Sequence, residues 1–113
     1  MQKAHILNHA VEFYIAACEM LTNPPEEHKE KVSEIVGFCK NVNKNIAQAL
    51  SKEKYEEQKP LLEKAKESNK EFISGVRNFE KDGLFRGNSA VLLIGFSERT
   101  EIEINQLLNN NGN

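Results

Sequence analysis

The chain has no tryptophan, two cysteines, three prolines and six glycines. Two cysteines cannot build the disulfide scaffold on which small secreted domains depend. None of the glycines falls in a Walker A sequence or a G-x-G-x-x-G, so the loops that cradle nucleotide phosphates are missing. No serine stands in a G-x-S-x-G elbow. No Glu-x-x-His pair occurs, which removes the di-iron signature of helical bundles. No apolar run approaches the roughly 18 residues of a membrane span. The opening MQKAHILNHA lacks the basic region, continuous apolar segment and small-residue site of a signal peptide. Charge is also unsegregated. The 15 Lys and Arg are interspersed with 17 Asp and Glu, giving a net charge of −2 and a pI near 5.9. That argues against a nucleic-acid binder, which needs a basic footprint.

What is present is hydrophobic periodicity. The chain's 113 residues, 39% of them hydrophobic, suit one domain with one modest core. Between Gln2 and Leu21 the step of roughly 100° per helical residue places Leu7, Ala10, Val11, Tyr14, Ala17, Cys18 and Leu21 on one side. Ile6, Phe13 and Met20 widen that side to an arc of about 220°, where an ordinary surface helix shows about 100°. Such a helix needs cover on more than one side. Thr22-Asn23-Pro24-Pro25 ends it, because proline cannot continue a helix and disfavours the α region before it. A second helix opens at Pro25, with Glu26 and Glu27 suited to its positive end. Its seam is Val32, Ile35, Val36, Cys39, Val42, Ile46, Ala49 and Leu50.

Ser51–Lys59 carries no buried stripe and reads as a loop or a solvated extension of helix 2. Pro60 then suits the first turn of helix 3, which continues through Leu61, Leu62, Ala65, Phe72, Ile73, Val76 and Phe79. Asp82-Gly83 ends it, and a short apolar bend leads to a cap at Asn88 or Ser89. Helix 4 runs to about Leu108. Its first part, Ala90–Phe96, is apolar all round, and its second keeps a stripe of Thr100, Ile104, Leu107 and Leu108. The pattern predicts an all-α protein, an antiparallel up-and-down four-helix bundle. It is a single domain over residues 1–108, with 109–113 a disordered tail that has nothing to pack against. The helix order, with Pro-Pro-Glu-Glu opening helix 2, resembles focal-adhesion-targeting and vinculin-like bundles in architecture.

Candidate chemistry is sparse. His5, His9 and Glu12 are spaced to face one way on helix 1, the arrangement a metal asks of imidazoles. They lie opposite the broad apolar arc, however, where solvation is the expected state, so no cofactor or metal is expected. His28 falls one turn before Val32 on the seam of helix 2 and is expected to pack over the end of helix 1. Cys18 and Cys39 sit at core positions. A hairpin count puts their levels roughly 15 Å apart, beyond the reach of a disulfide, so two free buried thiols in a reducing, cytoplasmic setting are expected. Arg77, Arg86 and Arg99 could gather near one end of helices 3 and 4.

The feature that points most directly to function is apolar surplus. Leu7, Val11, Tyr14 and Cys18 are assigned to the interior, which leaves Ile6, Phe13 and Met20 at the margin of helix 1. Val91, Leu92 and Ile94 point away from the Leu93–Phe96–Thr100–Ile104 stripe, and Ile102 falls on the polar side. Exposed apolar patches mark protein partners. The expected function is therefore a non-enzymatic helical protein–protein interaction module, self-associating or binding another protein through Phe13, Met20, Val91 and Leu92. The second reading is a bundle sensor for a small apolar ligand near Phe13, Tyr14, Phe72 and Phe79, or for a metal at His5, His9 and Glu12.

Overall fold

In the computed structural model, residues 11–19, 26–81 and 89–110 are described. Residues 11–19 are helical and are here called α1; α2 is Lys29–Leu50, α3 is Tyr55–Lys81 and α4 is Ser89–Asn110. A single 3-10 turn, Glu26–His28, leads into α2. No strand occurs among the described residues. The chain is an antiparallel up-and-down four-helix bundle measuring 46 × 22 × 19 Å, in which α3 packs between α2 and α4.

The helices form because each carries a regular seam. In α2 the buried residues are Val32, Ile35, Cys39, Val42, Ile46 and Ala49. In α3 they are Gln58, Leu62, Ala65, Asn69, Phe72, Val76 and Phe79. In α4 they are Ala90, Leu93, Ser97, Thr100, Ile104 and Leu107. Intervals alternate between three and four in every case, the heptad repeat that keeps one seam facing its neighbours along a whole bundle. The antiparallel register is fixed at two places. Ile35 lies beside Gly75, where an added Cβ would stand 3.0 Å from its Cγ1. At the other end, the Tyr55 hydroxyl donates to the Leu108 carbonyl at 2.8 Å.

The interior is divided. One apolar cluster contains Phe13 and Ala17 of α1 with Ile35, Cys39, Phe72, Val76, Ala90 and Leu93. Within it the Phe13 and Phe72 rings meet edge to face, centroids 4.7 Å apart at 88°, a geometry worth about 0.5–1.5 kcal/mol beyond area burial. A second cluster contains Val42, Ile46, Ala49, Leu62, Ala65, Ile104 and Leu107. Between them lies a polar layer. The Asn69 Nδ2 donates to the Ser97 carbonyl at 2.9 Å, and the Ser97 hydroxyl donates to Asn69 Oδ1 at 2.5 Å. Thr100, also buried, returns its hydroxyl to the Phe96 carbonyl at 2.9 Å.

Five expectations need correction. First, α3 begins at Tyr55 and carries Pro60 inside it. Proline there removes one intrahelical bond, that to the Glu56 carbonyl. Both residues are exposed, so water can satisfy that carbonyl. Tyr55 and Gln58 anchor the early turn instead, and Gln58 Nε2 donates to the Lys52 carbonyl at 2.8 Å. Second, α-helix proper starts at Lys29, after the 3-10 turn, and a Glu26–Lys29 ion pair of 2.7 Å spans the junction. Third, the inward side of α1 is centred on Phe13 and Ala17, with Tyr14 and Cys18 half-buried and Val11 exposed. The bulkiest apolar side chain takes the interior, where it meets Phe72. Fourth, Ser97 occupies the α4 seam position assigned to Phe96, which is half-buried. Fifth, of the tail expected at 109–113, Asn109 and Asn110 belong to α4; residues 111–113, the helix 1 stop at 22–25 and the bend at 82–88 lie outside the described residues.

Candidate functional site

The seam of α4 determines what the opposite side presents. With Ala90, Leu93, Ser97, Thr100, Ile104 and Leu107 turned inward, the 3.6-residue repeat turns Val91, Leu92, Gly95, Glu98, Arg99 and Ile102 outward. The three aliphatic side chains are well exposed: Val91 65%, Leu92 51% and Ile102 58%. On α1, Val11 and Ile15 are exposed at 39% and 50%. These two stand near the level of the first half of α4, since Phe13 and Ala17 share a cluster with Ala90 and Leu93. Ile94, by contrast, is half-buried against that cluster.

Of the residues expected at a partner surface, Val91 and Leu92 are therefore on the outside of the bundle. Phe13 is fully buried and belongs to the interior. Met20 lies outside the described residues. Gly95 and Ile102 belong to the same outward face. Their signal in the sequence was the position of Ile102 on the polar side of helix 4, seven residues beyond a glycine.

The residues considered for other chemistry are dispersed. Glu12 is exposed, while His5 and His9 lie outside the described residues. Among the described residues no group of three or more His, Cys, Asp or Glu is placed to hold a metal ion. Arg77 and Arg99 do not gather. Asn69 is level with Ser97, so Arg99 lies near the level of residue 67 on α3, ten residues or about 15 Å from Arg77; Arg86 lies outside the described residues. His28 packs against Phe79 of α3, ring centroids 5.9 Å apart and nearly perpendicular. It also lies 3.6 Å from the Glu27 carboxylate.

Neither Cys39, which is buried, nor Cys18, which is half-buried, is joined in a disulfide. Burial pushes the Cys39 thiol well above its ordinary range, and Cys18 adds to the effect. Cys39 is thereby held as a neutral thiol, the opposite of what a nucleophile requires. The Tyr14 hydroxyl is raised as well, first by the charge of Cys18 and then by their hydrogen bond. Tyr14, Cys18 and Cys39 thus form one interacting group on the α1–α2 side, closer than the hairpin count suggests.

Phe13, Phe72 and Phe79 fill the interior rather than lining an open chamber. Two surface grooves, one of about 240 Å³ between α2 and α3 and one of about 400 Å³ along α3 at Lys70, Ser74, Arg77 and Lys81, are lined by none of Phe13, Tyr14, Phe72 and Phe79. Among the described residues no helix is long and apolar enough to cross a membrane. No protein-family model, curated protein or solved structure matches this chain.

Proposed function

We propose that the chain is a non-enzymatic helical protein–protein interaction module whose contact surface is the outward face of α4. The observation that carries this reading is the exposure of Val91, Leu92 and Ile102 on a helix whose seam is already filled on the other side. An amphipathic helix of an isolated bundle turns polar residues outward. Here three large aliphatic groups are kept in water at a cost of roughly 25 cal/mol per Å² of apolar surface, and a partner that covers them recovers it.

Comparing the wild-type chain with V91E/L92E by crosslinking in its native cell tests this. The expected result is a partner that is lost from the variant and that, once purified, binds the wild-type chain more tightly than V91E/L92E. Identical sets of crosslinked proteins for both chains, with the variant still folded, refute the reading.

A further inference from the structure

The outward face of α4 is complementary to itself. Read along the helix it runs apolar at Val91 and Leu92, bare at Gly95, charged with both signs at Glu98 and Arg99, and apolar again at Ile102. Taking the interaction reading above as its basis, we propose that the molecule covering this face is a second copy of the chain, with the two α4 helices packed antiparallel across a two-fold axis near residues 97–98.

Three observations fit one axis. In an antiparallel pair, Leu92 faces Ile102 of the second copy, and Glu98 faces Arg99 of the second copy. The midpoints of these two pairings differ by about 1.5 residues, or roughly 2 Å along the helix, which the length of the arginine side chain absorbs. With the axis at residues 97–98, Ile102 of the second copy falls opposite residues 92–94, between Leu92 and Gly95. A Cβ built on Gly95 meets nothing within 4 Å, so the face is bare there and the second helix can approach closely. Glu98 and Arg99 are both exposed, and neither makes an ion pair among the described residues. A two-fold interface repeats every contact, so one chain's Glu98–Arg99 sequence yields two cross-molecule pairs. Opposite charges set orientation and register more than affinity. One helix on one helix is a small interface beside the roughly 800 Å² per partner of a stable complex. A dissociation constant on the order of 10 μM is therefore expected.

Sedimentation equilibrium of the full chain tests the proposal, with circular dichroism confirming that each variant remains helical. Wild type should be dimeric at about 1 mM, and L92E/I102E monomeric. E98R alone and R99E alone place like charges at the axis, so each should weaken self-association by at least tenfold. An equimolar mixture of E98R with R99E should recover association, since each supplies the charge the other has lost. The double variant E98R/R99E should do the same by itself. A wild-type chain that is monomeric at about 1 mM overturns the second-copy proposal while leaving the interaction reading to the crosslinking comparison. A dimer unchanged in L92E/I102E, or no recovery in the mixture, overturns the placement on α4.

Discussion

Asn69 and Ser97 bond to each other twice, side chain to backbone at 2.9 Å and side chain to side chain at 2.5 Å, in a fully buried position between α3 and α4. The pair satisfies itself, so its burial is tolerated. It also ties α3 to α4 in a single register, because a shift by one turn would leave both groups buried and unbonded.

The pair should therefore behave non-additively. Ser97→Ala strands the Asn69 side-chain oxygen and is expected to cost about 1–3 kcal/mol, as is Asn69→Leu, which leaves the Ser97 hydroxyl without its acceptor. Asn69→Leu combined with Ser97→Ala removes both polar groups and should lie well below the sum of the single losses, because matched apolar replacement of both partners is nearly neutral. Urea unfolding of the three variants measures this.

The edge-to-face contact of Phe13 with Phe72 predicts a large loss on truncation. Phe72→Ala is expected to destabilise by about 3–5 kcal/mol. A double-mutant cycle with Phe13→Leu and Phe72→Leu should return a coupling of about 0.5–1.5 kcal/mol. A coupling near zero would show that the rings contribute area alone.

Two glycines should respond in opposite ways to the same change. Gly37 lies inside α2 with open space around it, so Gly37→Ala should stabilise by about 0.4–1 kcal/mol. At Gly75 the new methyl group would stand 3.0 Å from Ile35 Cγ1, and Ile35 is buried on a β-branched side chain with little freedom to move. Gly75→Ala should destabilise, and thermal unfolding of the two variants gives the comparison.

These contrasts show what the sequence reveals. The α2 seam is legible residue by residue, since Val32, Ile35, Cys39, Val42, Ile46 and Ala49 are apolar and spaced by three and four. The α3 seam follows the same rhythm from Tyr55 through Gln58, Leu62, Ala65 and Asn69. It is hidden because Gln58 and Asn69 are polar, and polarity is what a search for buried positions discounts. Ser97 is missed for the same reason. The run Ala90–Phe96 has the opposite defect: with apolar residues all round, periodicity cannot say which of them turn inward. Hence Val91 and Leu92 could be placed outside only through their helical angle from the Leu93–Phe96–Thr100–Ile104 stripe, which also put the half-buried Ile94 outside, and Phe13 could be assigned to a margin when it is central.

Tyr55→Phe removes the hydroxyl that reaches the Leu108 carbonyl. The expected cost is about 0.5–1.5 kcal/mol. The last turn of α4 should exchange its amide hydrogens faster, while amides near Phe72 remain as protected as before.

Cys39 makes stability fall with alkaline pH. Its folded-state value lies above the unfolded one, so the folded chain holds the proton longer. The associated stability is complete below the unfolded thiol value of about 8.5 and is lost as pH rises beyond it. The slope approaches about 1.4 kcal/mol per pH unit for one proton. Cys39→Ala should flatten that alkaline limb, at the expense of a smaller side chain in the core, and unfolding free energies measured from pH 7 to 10 show both effects.

The polar layer gives the bundle a waist. Packing forces pass along a continuous apolar interior, but here the aromatic half and the Val42–Ile46–Leu62–Ile104 half are joined across Asn69, Ser97 and Thr100 by hydrogen bonds and backbone. Local opening can then stop at the waist, with one half loosened and the other closed. The outward face of α4 straddles this boundary, with Val91 and Leu92 beside one half and Ile102 beside the other. A molecule that grips both ends of the face acts as a splint. It spans both apolar clusters, and its arrival is expected to be registered as slower amide exchange on the far side of the polar layer, away from the contact itself.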